Sequence, residues 1–280
     1  YVLNTDSVEI REKANQLKDL QGQINLHGKE QVVEKVSYTW FNRIAALRFM
    51  DANGYTETKV ISSVEGHTQP EILAEARKGH IGDDLPADSK RIHDLLDGSI
   101  SSQNPQNEAY KALLVGACNA YYDAMPFLFE KLSDYSELLL PEDMLSDQSI
   151  RADFINGLPE EDCHEVEVLG WFYQYYIAEK KDFVMGQKKA YKKEDIPAVT
   201  QLFTPNWIVR YMVENSLGRL WMQNRPNSSL KQHMEYYIES DGNNDTSFIK
   251  INGPEELRLI DPACGSGHIL VYAYDLLYKI

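Results

Sequence analysis

The 280-residue chain has only three cysteines, Cys118, Cys163 and Cys264, widely spaced and outside any CxxC pair. That excludes a disulfide framework and a cysteine-based zinc site, and it suits a reducing compartment. No apolar run approaches the roughly 18 residues that a membrane span requires. The opening Tyr1-Val2-Leu3-Asn4 is neither an initiator methionine nor a signal peptide, so a cytoplasmic chain that is a piece of something longer is expected. Basic residues are also scarce. Against 43 Asp+Glu there are 28 Lys+Arg, a net charge of −15. Taken whole, that balance argues against a nucleic-acid binder, whose phosphate contacts need Lys and Arg. It fits a soluble protein that resists self-association. Hydrophobic residues at 43% and charged residues at 25% are ordinary globular values, so disorder is excluded. The chain is long enough to bury a core in one large domain or two modest ones.

The charge is unevenly spread. Residues 1–179 hold 15 basic and 31 acidic side chains, whereas residues 180–280 hold 13 and 12. The densest stretch is 131–167, with Asp134, Glu137, Glu142, Asp143, Asp147, Asp153, Glu160, Glu161, Asp162, Glu165 and Glu167 against Lys131 and Arg151. Such a run is either a solvated face or a docking surface for a basic partner.

The first half reads as helices joined by polar loops. Val36, Trp40, Ile44 and Leu47 share one helical face, with Asn53-Gly54 as a stop. Residues 70–77 predict a short helix with Pro70 at its start and Gly79 after its end. An apolar stretch Ala112–Leu132 is expected to break at Met125-Pro126. A further helix is expected over about 164–181, with Lys180-Lys181 in a last turn that suits its negative dipole end. The lysines at 188, 189, 192 and 193 mark a polar connection closing at Ile196-Pro197. The domain boundary is placed there: an acidic helical domain over 1–195 and a second domain over 196–280. In the second, a helix from Thr200, a polar insertion at 224–253, a strand Leu257–Ile260, a glycine turn and a helix 268–280 are expected.

The strongest chemical signal is Leu257-Arg258-Leu259-Ile260-Asp261-Pro262-Ala263-Cys264-Gly265-Ser266-Gly267-His268. Strand, tight turn and amphipathic helix in that order form the first β-loop-α unit of a doubly wound sheet, which binds ligands at the carboxyl ends of its strands. Gly265 and Gly267 let backbone approach a ligand, and Asp261 at the strand end can accept a hydrogen bond from it. The dinucleotide fingerprint GxGxxG fails, because Leu270 stands at its third glycine. The second signal is Phe203-Thr204-Pro205-Asn206-Trp207-Ile208. Thr204 suits an N-cap and Pro205 the first helical position, so the helix start would offer free N–H groups to a carboxylate. Alone, this segment reads as well as a capped amphipathic helix with Ile208, Tyr211, Met212 and Asn215 facing a core. The downstream motif favours the functional reading.

Other candidates weigh less. His27, His67, His80, His93, His164 and His233 lack ligand-like spacing. Cys163-His164 has nothing nearby to orient a base. The aromatics Trp171, Phe172, Tyr173, Tyr175 and Tyr176 could stack bases but suit a helix core. The lysines at 180–193 are either DNA phosphate contacts or a solvated linker. Asn104-Pro105-Gln106-Asn107 reads as a loop.

Phe-Thr-Pro followed by Asp-Pro-Ala-Cys-Gly-Ser-Gly resembles the S-adenosylmethionine site of amino-methylating DNA methyltransferases, in which the cofactor motifs precede the catalytic one. Tyr38–Arg43, Met125–Glu130, Ser136–Pro141, Gly170–Gln174 and Glu194–Ala198 look like the PglX family, the adenine-specific methyltransferases of bacteriophage exclusion (BREX) systems. The resemblance spans roughly residues 35–280. It implies a mainly α N-terminal domain followed by the beginning of an α/β Rossmann-like methyltransferase fold. Phe203, Thr204 and Pro205 would lie against the methionine end of the cofactor, and Asp261, Pro262, Ala263, Cys264, Gly265, Ser266 and Gly267 would form the loop beneath it. Double-stranded DNA and other BREX proteins are the implied partners, and a phage inhibitor protein is a further candidate. The family's catalytic Asn-Pro-Pro-Tyr, which holds a flipped adenine, is absent from these 280 residues. The parent is therefore expected to methylate DNA adenine, with this fragment inactive alone. The alternative is an acidic interaction module whose methyltransferase fold is only a platform.

Overall fold

A computed structural model describes residues 13–129, 135–165, 167–187, 189–193, 195–200, 202–239 and 247–280. Tyr1–Asn4, Glu130, Lys131, Leu132, Asp134, Lys188 and Glu194, singled out above, lie outside these residues. The chain divides into two compact units, Tyr1–Leu169 and Gly170–Ile280. Among the described residues the structure is helical, and the sole β-type pairing is an isolated bridge between Ser63 and Pro70.

The first unit contains α1 (Ala14–His27), α2 (Lys29–Ala52), α3 (Glu71–Arg77), α4 (Ser89–Leu96), α5 (Pro105–Ala120) and α6 (Ile150–Gly157). Val36, Trp40, Ile44 and Leu47 are all buried on α2, as their spacing requires. The helix stops at Asn53-Gly54, where Gly54 takes φ +66°. Pro70 caps α3, and Gly79 beyond its end has φ +90°. Two expectations need correcting. Asn104-Pro105-Gln106-Asn107 is not a loop but the start of α5: the Asn104 side chain accepts from the Asn107 N–H and Pro105 opens the helix. Local capping chemistry therefore begins this helix before its apolar run. It also ends early, at Ala120, and the turns that follow precede Pro126.

Within the non-helical connection 53–70, residues 60–62 are buried without strand partners, and side chains supply most of their backbone hydrogen bonds. Asp51, 1% exposed, accepts from Val60 N (2.9 Å), Ile61 N (2.7 Å), Ser62 N (2.8 Å) and Thr56 Oγ1 (3.0 Å). Three successive amides around one carboxylate form an anion nest. Burial pushes the Asp51 carboxyl above its ordinary range, while the four donors pull it down. The carbonyls of the same segment are met by buried cations and a phenol. Arg151 donates to Ile61 O, Thr68 O and Met144 O, and the Tyr110 hydroxyl donates to Val60 O. Arg48 donates to Ser62 Oγ and Leu158 O. Trp40 donates to Ser136 O at 3.0 Å, tying α2 to the 3-10 turn Tyr135–Leu139.

The helix α7 (Glu167–Gly186) opens the second unit, followed by α8 (Ile196–Thr200), α9 (Asn206–Val213), α10 (Arg219–Asn224) and α11 (His268–Tyr278). A π turn, Glu214–Gly218, joins α9 to α10. Because α7 continues to Gly186, Lys180 and Lys181 are not in its last turn and the dipole argument for them fails. Of the aromatic cluster on α7 only Tyr173 is buried; Trp171, Tyr175 and Tyr176 are exposed, contrary to a core reading. No helix starts at Thr200, which instead ends α8. The core of this unit comprises Val213, Leu217, Trp221, Met222, Leu230, Met234, Ile251, Ala273 and Leu276. Val209, Val213 and Leu217 form the buried stripe, one residue away from the expected Ile208, Tyr211, Met212 and Asn215. The expected strand Leu257–Ile260 is not a strand here: no ladder pairs it, and Ile260 is 85% exposed. A period-2 or apolar pattern becomes a strand only with a partner to complete its hydrogen bonds.

Asp51→Asn keeps the size of the side chain but sets an NH2 group against donating amides. It should lower the unfolding free energy of the first unit by about 3 kcal/mol, read as a fall in the urea midpoint. An unchanged midpoint would show that these amides do not depend on the carboxylate.

Candidate functional site

Phe203, Thr204 and Pro205 lie in the half-buried segment that leads into α9, and Asp261–Gly267 form the turn that leads into α11. The structure brings the two together. The Phe203 ring meets His268, the first residue of α11, at 5.6 Å between centroids and 84° between planes. On its other side it meets Tyr173 of α7 at 6.3 Å, again edge-on. A Cβ placed on Gly170 would fall 2.3–2.7 Å from atoms of the same ring. Gly170 is thus the floor on which Phe203 rests, and glycine alone leaves room for it.

The helix start differs by one residue from expectation. Pro205, at φ −53° and ψ 141°, is the cap itself and not the first helical residue, and α9 begins at Asn206. The extended ψ keeps Pro205 outside the helix while its carbonyl accepts from Ile208 N (2.9 Å) and Val209 N (3.2 Å). No side chain caps this end, so Thr204 does not serve the helix start as an N-cap. The start of α11 is likewise without a side-chain cap, and Gly267 occupies its N-cap position in the left-handed region at φ +83°. Gly265 also has positive φ, +54°. An L side chain would be strained at both.

Asp261 folds back on its own turn. Its Oδ1 accepts from the Ala263 N–H at 2.9 Å, while Oδ2 is buried with no hydrogen-bond partner. Such an orphan acceptor is costly unless a ligand donor completes it. Pro262, Ala263, Cys264, Gly265 and Ser266 are exposed beside it. Two uncapped helix starts, an unused carboxylate oxygen and a turn with glycine at 265 and 267 suit a ligand with both a carboxylate and an amino group. The residues present therefore fit S-adenosylmethionine. Among the described residues no group of His, Cys, Asp and Glu could hold a metal ion. Cys163 is buried and its thiol pushed up by desolvation, while the adjacent His164 is exposed, so they form no nucleophile pair. No described helix is long and apolar enough to cross a membrane.

No family model matches the chain. Two curated proteins do. An "Adenine-specific methyltransferase BrxX" of Escherichia coli O9:H4 (strain HS) is 45% identical over 262 residues, 90% of this chain and 21% of that protein. An "Adenine-specific methyltransferase PglX" of Lacticaseibacillus casei (strain Zhang) is 38% identical over 270 residues, 89% of this chain and 22% of that protein. The chain is a homologue of the PglX-type adenine-specific methyltransferases. It spans about a fifth of the length of these relatives.

Two groups at this site escaped the sequence reading of this PglX homologue. Gly170 sat inside an aromatic run with no turn to mark it. Glu214 is 0% exposed, although an Arg–Glu pair at i and i+4 ordinarily lies on a helix surface. The signal available was their place in the apolar run Trp207–Leu217, where a charge pair is out of pattern.

Gly170→Ala should cost about 2 kcal/mol by overpacking against Phe203, and most of that cost should vanish in a Phe203→Ala background. Thermal unfolding of the four proteins of this cycle measures the coupling. Additive effects would mean that the ring and the glycine do not depend on each other.

Proposed function

We propose that the chain is part of a site-specific DNA adenine-N6 methyltransferase of a BREX-type antiphage system. In this reading residues 1–195 form the acidic helical domain, and residues 196–280 begin a Rossmann-like methyltransferase domain holding part of the cofactor site. The observation that carries it is the orphaned Asp261 Oδ2 in a glycine turn that Phe203 packs beside, in a chain homologous to adenine-specific methyltransferases. When bound, S-adenosylmethionine supplies an electrophilic methyl group on a sulfonium. The residues of this chain bind and orient it. Asp261 accepts from the amino group, and the start of α9 behind Thr204 and Pro205 receives the carboxylate. The turn Pro262-Ala263-Cys264-Gly265-Ser266-Gly267 runs beneath, its glycines admitting close approach. The 280 residues contain no Asn-Pro-Pro-Tyr for the target base, so activity belongs to the longer protein, in the cytoplasm with double-stranded DNA and other defence proteins as partners.

The test is methyl transfer by the full-length protein. Labelled S-adenosylmethionine should deliver its label to adenine N6 of double-stranded DNA, and Asp261→Ala should weaken cofactor binding by about tenfold or more, measured by calorimetry. DNA left unlabelled both with and without the partner proteins of the system would overturn the enzyme reading.

A second reading keeps the first unit as a docking module for a basic partner. Glu142, Asp143, Asp147, Asp153, Glu160, Glu161, Asp162 and Glu165 are exposed, while Arg151 is buried and spends its donors on backbone carbonyls. The stretch therefore shows its charge unneutralised from within. Reversing Glu160, Glu161, Asp162 and Glu165 to lysine should abolish capture of the defence partners from cell extract and leave DNA methylation intact. Unaltered assembly would count against a docking role.

A further inference from the structure

Glu214 stands at the entrance to the π turn, and single π turns inside helices are rare and concentrate at functional sites. Both of its oxygens are engaged. Oε1 accepts from the Tyr272 hydroxyl at 2.7 Å, and Oε2 accepts from the Tyr236 N–H at 2.5 Å. Arg210, one turn earlier on the same face, lies 3.5 Å from Glu214 Oε1 and 3.0 Å from Glu235 Oε2. Its guanidinium rests over the rings of Tyr236 (5.1 Å) and Tyr272 (5.8 Å). The Tyr272 hydroxyl, then the Glu214 and Glu235 carboxylates, hold Arg210 firmly protonated.

The placement of this cluster gives it meaning. Arg210 and Glu214 belong to the helical rod that starts behind Phe203-Thr204-Pro205, and Tyr272 belongs to the helix that starts behind Asp261–Gly267. Arg210 and Tyr272 each lie four residues into their helices, about 6 Å from the start at 1.5 Å per residue. A helical turn is stiff over that distance, so fixing the pair fixes the two starts. An apolar pair would pack these helices at less cost, since a buried carboxylate must recover a large desolvation penalty. What a directional bond adds over apolar packing is one register and one spacing.

We propose that Glu214 is a positioning residue of the cofactor site, acting through Tyr272 and Arg210 to hold the start of α11 against the start of α9. This rests on the reading that the two motifs together bind S-adenosylmethionine. Glu214 touches no reacting atom; it sets the distance between the groups that bind the methionine end.

The experiment uses the full-length protein and S-adenosylmethionine itself. Glu214→Gln removes the charge at constant shape, Tyr272→Phe removes only the hydroxyl, and Tyr274→Phe on the exposed side of α11 is the control. Calorimetry gives the cofactor Kd, and initial rates on DNA give KM and kcat separately. Glu214→Gln and Tyr272→Phe should each raise the Kd and KM for the cofactor by about fivefold or more. At saturating cofactor kcat should stay within about twofold, the double variant should be no worse than either single one, and Tyr274→Phe should match wild type. A general loss of stability would instead lower kcat, or the active fraction, without this split. If Asp261→Ala weakens binding while Glu214→Gln and Tyr272→Phe bind as wild type does, the inference falls and the functional reading stands. If wild type itself does not bind the cofactor, both fall. Should Glu214→Gln fail to fold, Tyr272→Phe carries the test alone.

Discussion

A chain without a sheet among its described residues must still satisfy the buried amides and carbonyls of its irregular segments, and here side chains do much of it. In the first unit Asp51 collects the amides of Val60, Ile61 and Ser62, while Arg151 and Tyr110 take the carbonyls of the same segment. The second unit repeats the solution with amides. Asn215 donates to Tyr236 O and accepts from Ile238 N, and Asn224 donates to Ile249 O and accepts from Ile251 N. Each asparagine offers one donor and one acceptor in the positions of a ladder neighbour. Irregular chain is thereby held against a helix as firmly as a strand is held in a sheet. The two clamps lie within the polar insertion, at 236–238 and 249–251, so both of these segments are anchored to the rod that runs from α9 through α10.

This solution makes the buried polar groups hard to exchange. A half-satisfied network is worse than an apolar one, because each orphaned amide pays its desolvation without return. Asp51 has four donors and Arg151 three acceptors, so removing either leaves several groups stranded together. The same rule makes Asp261 conspicuous. It keeps one oxygen for its own turn and leaves the other unpartnered, whereas the buried carboxylates Asp51 and Glu214 each use both oxygens. On the proposed reading, the donor that completes it arrives with the cofactor.

What was legible in the sequence follows from the range of each interaction. The helices α2, α3 and α11 were readable because their periodicity, prolines and glycines act within a few residues. The glycine turn was readable for the same reason: Gly265 and Gly267 have positive φ by local geometry alone. The start of α5 was misread although its Asn-Pro signal is local, because the same signal marks a turn as readily as a helix start. The strand at Leu257–Ile260 depends on a partner strand, and the pattern specifies only one side of that pairing. Asp51, Gly170 and Glu214 were invisible for a further reason. Asp51 collects the amides of Val60, Ile61 and Ser62, 9 to 11 residues on, while Gly170 meets Phe203 and Glu214 meets Tyr272 from far along the chain, brought together only by the fold. Nor could the caps be fixed to the residue, since whether Thr204 or Pro205 ends the extended segment is decided by the ψ of Pro205.

The charge balance is reinterpreted by the same burial. Arg151 is the one base within 135–167, and it faces inward onto carbonyls, so it does nothing for the carboxylates around it on the surface. Among them Glu137 takes Lys13 at 2.7 Å and Gln16 at 3.0 Å, and Glu160 lies 3.9 Å from Lys59. The exposed remainder projects a negative field over roughly a Debye length, about 8 Å at physiological salt. A phosphate backbone is repelled within that range and indifferent beyond it. On the proposed reading, the field need not oppose DNA binding at all. It penalises every approach that would bring the duplex against this face, and so leaves the orientations in which DNA meets a neutral or basic surface. Net charge of the whole chain, the quantity that first seemed to exclude DNA, averages over faces that DNA would never touch together.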